Sequence, residues 1–243
     1  TLLRTKQGPQ GKMMVFDEDK ETLRGIEEDA EVADWAFQQF RELQSGRDMK
    51  ADDFATGKDM VRESLGKLRE QLDRYLAGEY GVDGKDVKAY QKWRGSHEPF
   101  HWFVEFYGVM KGGGFDVIIG NPPWREYAAV KRDYTVTNYR VEQSGNLYAF
   151  CSERSLGLLA PNGSLSFIVQ LPMVSSLRMA TFRQFLSEQC SFLSVVPCDD
   201  RPGRLFEGLE HCRSAIFVAR KLRKPIAWQF FTTRYNRWAT EVR

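Results

Sequence analysis

Phe115-Asp116-Val117-Ile118-Ile119-Gly120-Asn121-Pro122-Pro123-Trp124 decides how this 243-residue chain is read. The apolar run Val117 to Ile119 has the length and composition of a short strand buried on both faces. Two consecutive prolines then forbid both a helix and further ladder pairing, so the strand stops and the chain turns outward. Asn121 precedes a proline and is pushed to an extended backbone, and the two fixed proline φ angles leave its side chain and the nearby carbonyls little freedom. A rigid polar corner with an aromatic end suits a site that grips one small polar group. The plainer alternative is a strand-ending turn, because Asn-Pro is a common turn starter.

Downstream of this stretch the pattern alternates strands and helices and predicts a layered α/β domain. A helix is expected from near Asn146, burying Leu147, Phe150, Cys151 and Leu158. Ala160-Pro161-Asn162-Gly163 reads as a turn into a strand, Ser164 to Gln170, followed by a helix from about Ser176 to Gln189. Phe192 to Val196 and Ser214 to Ala219 read as two further strands, joined by a loop holding Asp199, Asp200, Arg201, Arg204 and Phe206. Upstream the chain is charged and helical. Val32, Trp35, Ala36, Phe40 and Leu43 form one apolar stripe; Val61, Leu65, Leu68, Leu72, Tyr75 and Leu76 form a second, which Gly78 can close. A further helix, Phe100 to Met110, leads into Lys111-Gly112-Gly113-Gly114, read as a flexible entry turn.

The composition, 42% hydrophobic, supports a real core with an appendage. No run approaches the roughly 18 apolar residues of a membrane helix, and Thr1-Leu2-Leu3-Arg4 lacks the apolar stretch of a signal peptide, so a cytoplasmic protein is expected. Four cysteines, Cys151, Cys190, Cys198 and Cys212, are too widely spaced for a Cys-x-x-Cys zinc site or a disulfide framework. The net charge of +2 hides an asymmetry: residues 201–243 carry ten Lys or Arg against three Asp or Glu. Arg201, Arg204, Arg213 and Arg220 stand among Phe206, Trp228, Phe230 and Phe231, as on a surface that meets phosphates and bases. Solvated, charge-protected strand edges are the alternative.

Two motif matches fail on geometry. His97-Glu98-Pro99-Phe100-His101 spells the His-Glu-x-x-His zinc signature, which needs both histidines on one helical face, and Pro99 disfavours a continuous helix there. No metal is expected. Gly112-Gly113-Gly114 precedes a strand, whereas phosphate cradles follow a strand and open a helix. No Gly-x-Ser-x-Gly elbow or Walker loop is present.

Asn-Pro-Pro-aromatic after a strand reading Asp-Val-Ile-Ile-Gly resembles the catalytic motif of S-adenosylmethionine-dependent amino-group methyltransferases, above all the N6-adenine DNA methyltransferases. The likeness extends over about residues 90–240. His101-Trp102-Phe103-Val104-Glu105-Phe106, the stretch from Gly113 to Trp124, Leu158-Leu159-Ala160-Pro161-Asn162-Gly163 and Arg201-Pro202-Gly203-Arg204-Leu205-Phe206-Glu207-Gly208 resemble the methylases of single-chain type II (type IIG) restriction-modification enzymes and related phage-exclusion systems.

The resemblance implies the second half of a Rossmann-like S-adenosylmethionine-dependent methyltransferase sheet, preceded by a helical region. The expected parts are a helical lead-in over 1–98, the catalytic half over 99–225 and a basic aromatic segment over 226–243. It further implies double-stranded DNA as partner and Asn121, Pro122, Pro123 and Trp124 as catalytic residues. Trp124 and Phe206 would stack on a flipped base, and Arg201 and Arg204 would contact DNA. The family's Phe-x-Gly-x-Gly cofactor loop is not found here, and the chain starts at Thr1 without methionine. The expectation is therefore a fragment whose parent protein holds S-adenosylmethionine. Other acceptors, a protein glutamine amide or an RNA guanine amine, and a non-catalytic DNA-binding or assembly module remain as alternatives.

Overall fold

A computed structural model describes residues 17–45, 51–132, 135–136, 138–200, 212–222 and 228–234. It comprises two compact units, Thr1–Lys111 and Gly112–Arg243. The first holds α1 (Asp17–Ser45), α2 (Ala51–Glu79), α3 (Val87–His97), α4 (Trp102–Glu105) and α5 (Tyr107–Lys111). Its core joins Ile26, Ala30 and Ala33 of α1 to Leu68 and Leu72 of α2. Of the stripe expected on α1, Ala36 is buried but Val32 and Trp35 are 53% and 57% exposed, so the buried face is shifted from it. Residues 26, 30 and 33 follow helical spacing too, and place one large and two small residues on the inner face. The stripe on α2 is found as expected around Leu68 and Leu72. Its closing glycine is Gly81, in the left-handed region at φ 74°, and not Gly78, which lies inside the helix. The single helix expected from Phe100 to Met110 is broken at Phe106 into α4 and α5.

The zinc-like match is dispersed in this unit. Helix α3 ends at His97 and Glu98 turns left-handed at φ 41°. His97 Nδ1 lies 3.1 Å from the Trp93 carbonyl oxygen, while His101 Nε2 lies 2.7 Å from Oδ1 of the buried Asp73. The two rings serve different partners on different elements. No group of three or more potential metal ligands occurs among the described residues.

The second unit is α/β. Five strands, β1 (Phe115–Gly120), β2 (Leu159–Gln170), β3 (Cys190–Cys198), β4 (Ser214–Lys221) and β5 (Gln229–Thr232), form one sheet in the order β1-β2-β4-β3-β5. Helices α6 (Leu147–Leu158), α7 (Pro172–Ser175) and α8 (Ala180–Gln189) belong to the same unit. β1 runs parallel to β2 and β5 to β3, whereas β4 is antiparallel to both β2 and β3. β4 thus returns from β3 and inserts beside β2, and the other four strands end on one edge of the sheet. This is the α/β arrangement expected for the second half of a Rossmann-like methyltransferase sheet.

The core is centred on Phe217 of β4, fully buried and flanked in register by Phe167 and Val195. The Phe167 and Phe182 rings meet it edge-on at centroid distances of 6.1 and 6.4 Å. Such apolar burial is the main stabilising contribution to a unit of this size.

The expectation of a β1 buried on both faces is corrected. β1 stands at the end of the sheet with β2 beside it, and Val117 and Ile119 are 62% and 79% exposed. Ile118, pointing the other way, packs on the core. The Ala160 to Gly163 turn lies within β2 as an irregularity: Phe115 pairs with Leu159 but Val117 with Ser164, and Asn162 adopts φ 67°. The expected turn at Gly112 and Gly113 is present, but Gly114 makes a close crossing. Gly114, at φ 113°, brings its Cα so near β2 that an added Cβ would sit 2.4 Å from the Leu158 carbonyl oxygen.

Candidate active site

Chain geometry brings several polar side chains to the carboxyl ends of the parallel strands, the edge where open α/β sheets bind ligands. The register of β1 ends with Gly120 opposite Phe167, and Asn121 to Arg125 leave the strand without helix or ladder. Asn121 and Pro123 are exposed, Pro122 is buried and Trp124 is half-buried against the core. The rigid corner expected from the two prolines is present, and its outward polar group is Asn121.

Trp124 anchors this corner. Its indole N–H donates to the Ile168 carbonyl oxygen of β2 at 3.0 Å. The ring thus has a structural task in addition to the base-stacking role expected of it. Trp124→Phe keeps an aromatic ring and removes the donor, and should lower unfolding stability by about 1 kcal/mol. The shift of the denaturant midpoint measures it; an unchanged midpoint would show that the bond contributes nothing.

After Trp124 the chain is tied to the start of α6. Leu147 N donates to the Arg125 oxygen at 2.9 Å and Tyr127 N to the Gly145 oxygen at 2.8 Å. The helix expected from near Asn146 is α6, and Asn146 is its N-cap: its Oδ1 accepts from Tyr148 N at 3.4 Å. The same side chain is buried and donates through Nδ2 to Glu126 Oε1 and Gln170 Oε1, each at 3.2 Å. Arg178 binds the other Glu126 oxygen and also the Gly145 carbonyl at 3.0 Å. The motif loop is therefore clamped on both sides, to β2 and to the α6 cap.

At the end of β2, a pocket of about 510 Å³ opens between Gln170, Pro172, Asp200, Cys212 and Arg213. Arg213 Nε reaches Asp199 Oδ1 at 3.3 Å and Asp200 Oδ1 at 3.7 Å, joining the end of β3 to the start of β4. Asn146 and Gln170 were not singled out as site residues from the sequence, and Arg213 was read only as part of the basic aromatic surface. The available signal was their position at strand ends or at a helix cap, which becomes informative once the strand order is known. Phe206, Arg201 and Arg204, expected to stack on a base and to contact DNA, lie outside the described residues.

Among the described residues no glycine-rich turn joins a strand to a following helix, the geometry that cofactor cradles use; β1 leads instead into the Asn-Pro-Pro loop.

Comparison with known proteins places these features in a family. A protein of Methanocaldococcus jannaschii, named for type II restriction enzyme and methyltransferase activity, is 30% identical over 89 residues, 37% of this chain and 8% of its own length. Among solved structures, a DrdV–DNA complex aligns with 57% of this chain and 16% of its own, at 14% identity and a TM-score of 0.42. A nuclease-deletion mutant of the Type ISP restriction-modification enzyme LlaGI, solved with a DNA substrate mimic, aligns with 53% and 15%, at 15% identity and a TM-score of 0.41. This chain thus spans a small part of each of these relatives. Residues 27–202, most of the chain, match the model of the Eco57I restriction-modification methylase family. The chain belongs to the Eco57I restriction-modification methylase family.

Proposed function

We propose that this chain is the amine-binding half of an S-adenosylmethionine-dependent N6-adenine DNA methyltransferase, part of a longer cytoplasmic polypeptide of the type IIG restriction-modification or phage-exclusion kind. The observation that carries this reading is the clamped Asn121-Pro122-Pro123-Trp124 corner at the carboxyl end of β1, in a chain of a methylase family.

An exocyclic adenine amine is a poor nucleophile because its lone pair is delocalised into the ring. Asn121 Oδ1 and the Pro122 carbonyl can each accept one amine hydrogen and concentrate the lone pair on nitrogen. A neutral amide does so without a charge that would be stranded in an empty site. S-adenosylmethionine, when bound, supplies the methyl group as a sulfonium, and the displacement is then governed by positioning. The base must first leave the duplex at a cost of a few kcal/mol, and a stacked aromatic face recovers about 1–3 kcal/mol of it. Trp124 is the proposed platform on this side and Phe206 its partner, while Arg201 and Arg204 are the proposed DNA contacts.

The edge of β1, which pairs only with β2 among the described residues, fits further strands pairing there and carrying the cofactor cradle. The charge surplus after residue 200 and the exposed Trp228, Phe230 and Phe231 support a nucleic-acid partner over a protein acceptor. A DNA-binding module without catalysis is the second reading, favoured by the same lack of a strand-to-helix glycine turn among the described residues. Labelled methyl groups offered with the longer polypeptide to duplex DNA, RNA and protein separate these readings. Label is expected in DNA; label in protein or RNA, or in no acceptor, would overturn the proposal.

A further inference from the structure

The pocket at the end of β2 has one polar wall whose orientation is dictated by its hydrogen bonds. Asn146 uses its side-chain oxygen to cap α6, so its Nδ2 must point the other way. There it donates to Glu126 Oε1 and to Gln170 Oε1 at 3.2 Å each. Glu126 is held through its other oxygen by Arg178, so it cannot swing away without losing an ion pair. A carboxamide whose oxygen faces a donor presents its N–H groups on the opposite side. Gln170 Nε2 accordingly faces Cys212 Sγ at 3.9 Å, a weak acceptor, at the wall of the pocket.

Gln170 is the last residue of β2, two positions beyond Ile168, whose carbonyl receives the Trp124 indole N–H. The pocket wall at Gln170 and the Asn-Pro-Pro corner therefore lie at the carboxyl ends of the neighbouring parallel strands β2 and β1. Its volume, about 510 Å³, lies in the range that small ligands and single bases occupy. Leu171 and Pro172 add apolar wall to the polar end at Gln170.

We infer that Gln170 is a base-contacting residue: its Nε2 donates a hydrogen bond to a ring nitrogen beside the target amine of an extruded adenine. This rests on the adenine reading above. The two groups that would hold the amine, Asn121 Oδ1 and the Pro122 carbonyl oxygen, are acceptors, and by themselves they grip any exocyclic amine without reading the ring that carries it. Adenine flanks its amine with two acceptor nitrogens, N1 and N7, so a donor on either side of the amine site finds a partner. Gln170 supplies that donor, and Asn146 and Glu126 are positioning residues that keep it from flipping.

The test measures methyl transfer by the longer polypeptide on duplexes with adenine, 1-deazaadenine or 7-deazaadenine at the target position. The wild type should lose about tenfold in kcat/KM on one of the two analogues, the order expected when a half-buried donor loses its partner. Gln170→Leu should be about tenfold slower on adenine and lose nothing further on that same analogue. Gln170→Glu, similar in size, should show the same missing discrimination and provides the comparison if the leucine variant does not fold. A purely structural role would slow both variants and leave the analogue effect intact, which overturns the inference, as does a wild type that discriminates against neither analogue. Normal turnover by Asn121→Ala would instead overturn the amine-site reading itself, so the two failures are distinguishable.

Discussion

Asn121→Ala should lower the single-turnover rate of methyl transfer by about 10²–10³-fold, the usual loss when one preorganised polar group is removed from a reacting centre. Duplex affinity should change little, because phosphate contacts supply most of it and Asn121 carries no charge. The side chain is exposed and lies beyond β1, while the neighbouring Pro122 is buried and makes the packing contribution, so the fold should tolerate the change. Asn121→Asp keeps an acceptor and adds a negative charge. It should retain more activity than the alanine variant, since the geometry needed to draw out the lone pair survives. An alanine variant with near-normal turnover would remove Asn121 from the chemistry.

Gly114→Ala is the second large effect, and it acts on the fold. The new Cβ would meet the Leu158 oxygen at 2.4 Å, and the Leu159 carbonyl carbon and Ala160 nitrogen at 2.9 Å, all main-chain atoms that cannot rotate away. Gly114 also sits at φ 113°, where L residues are strained. Strain and displacement of β2 together should cost about 3–5 kcal/mol. Gly113→Ala is the control. Its φ is 109° but nothing lies within 4 Å of the added methyl, so only the backbone strain of about 1–2 kcal/mol should appear. Equilibrium unfolding of the two variants reads the difference, and equal losses would contradict the close crossing.

What the sequence made legible is what local chemistry controls. The strands at β3 and β4 and the helix that begins near Asn146 follow from local apolar patterning, which needs no knowledge of distant partners. The Asn-Pro-Pro corner was legible for the same reason, because proline fixes its own backbone and that of its predecessor. Burial was harder to read. An apolar strand such as β1 looks the same whether both faces are covered or one awaits a neighbour, so Val117 and Ile119 misled. On α1 the large residues Val32 and Trp35 drew the stripe away from Ala30 and Ala33, which carry little hydropathic signal yet lie in the buried core. Gln170 could not be found from sequence at all. It is one more residue in an alternating strand until strand order sets it beside the Trp124 anchor and the α6 cap. β5, read only as part of a basic aromatic segment, pairs in parallel with β3 through backbone groups that side-chain composition does not reveal.

The central claim is that the corner at Asn121 holds an adenine amine for methylation, and nucleoside analysis of labelled duplex tests it most directly. After incubation of the longer polypeptide with DNA and methyl-labelled S-adenosylmethionine, complete digestion should place the label in N6-methyldeoxyadenosine. Label in any other nucleoside, or DNA bound without label, would contradict it.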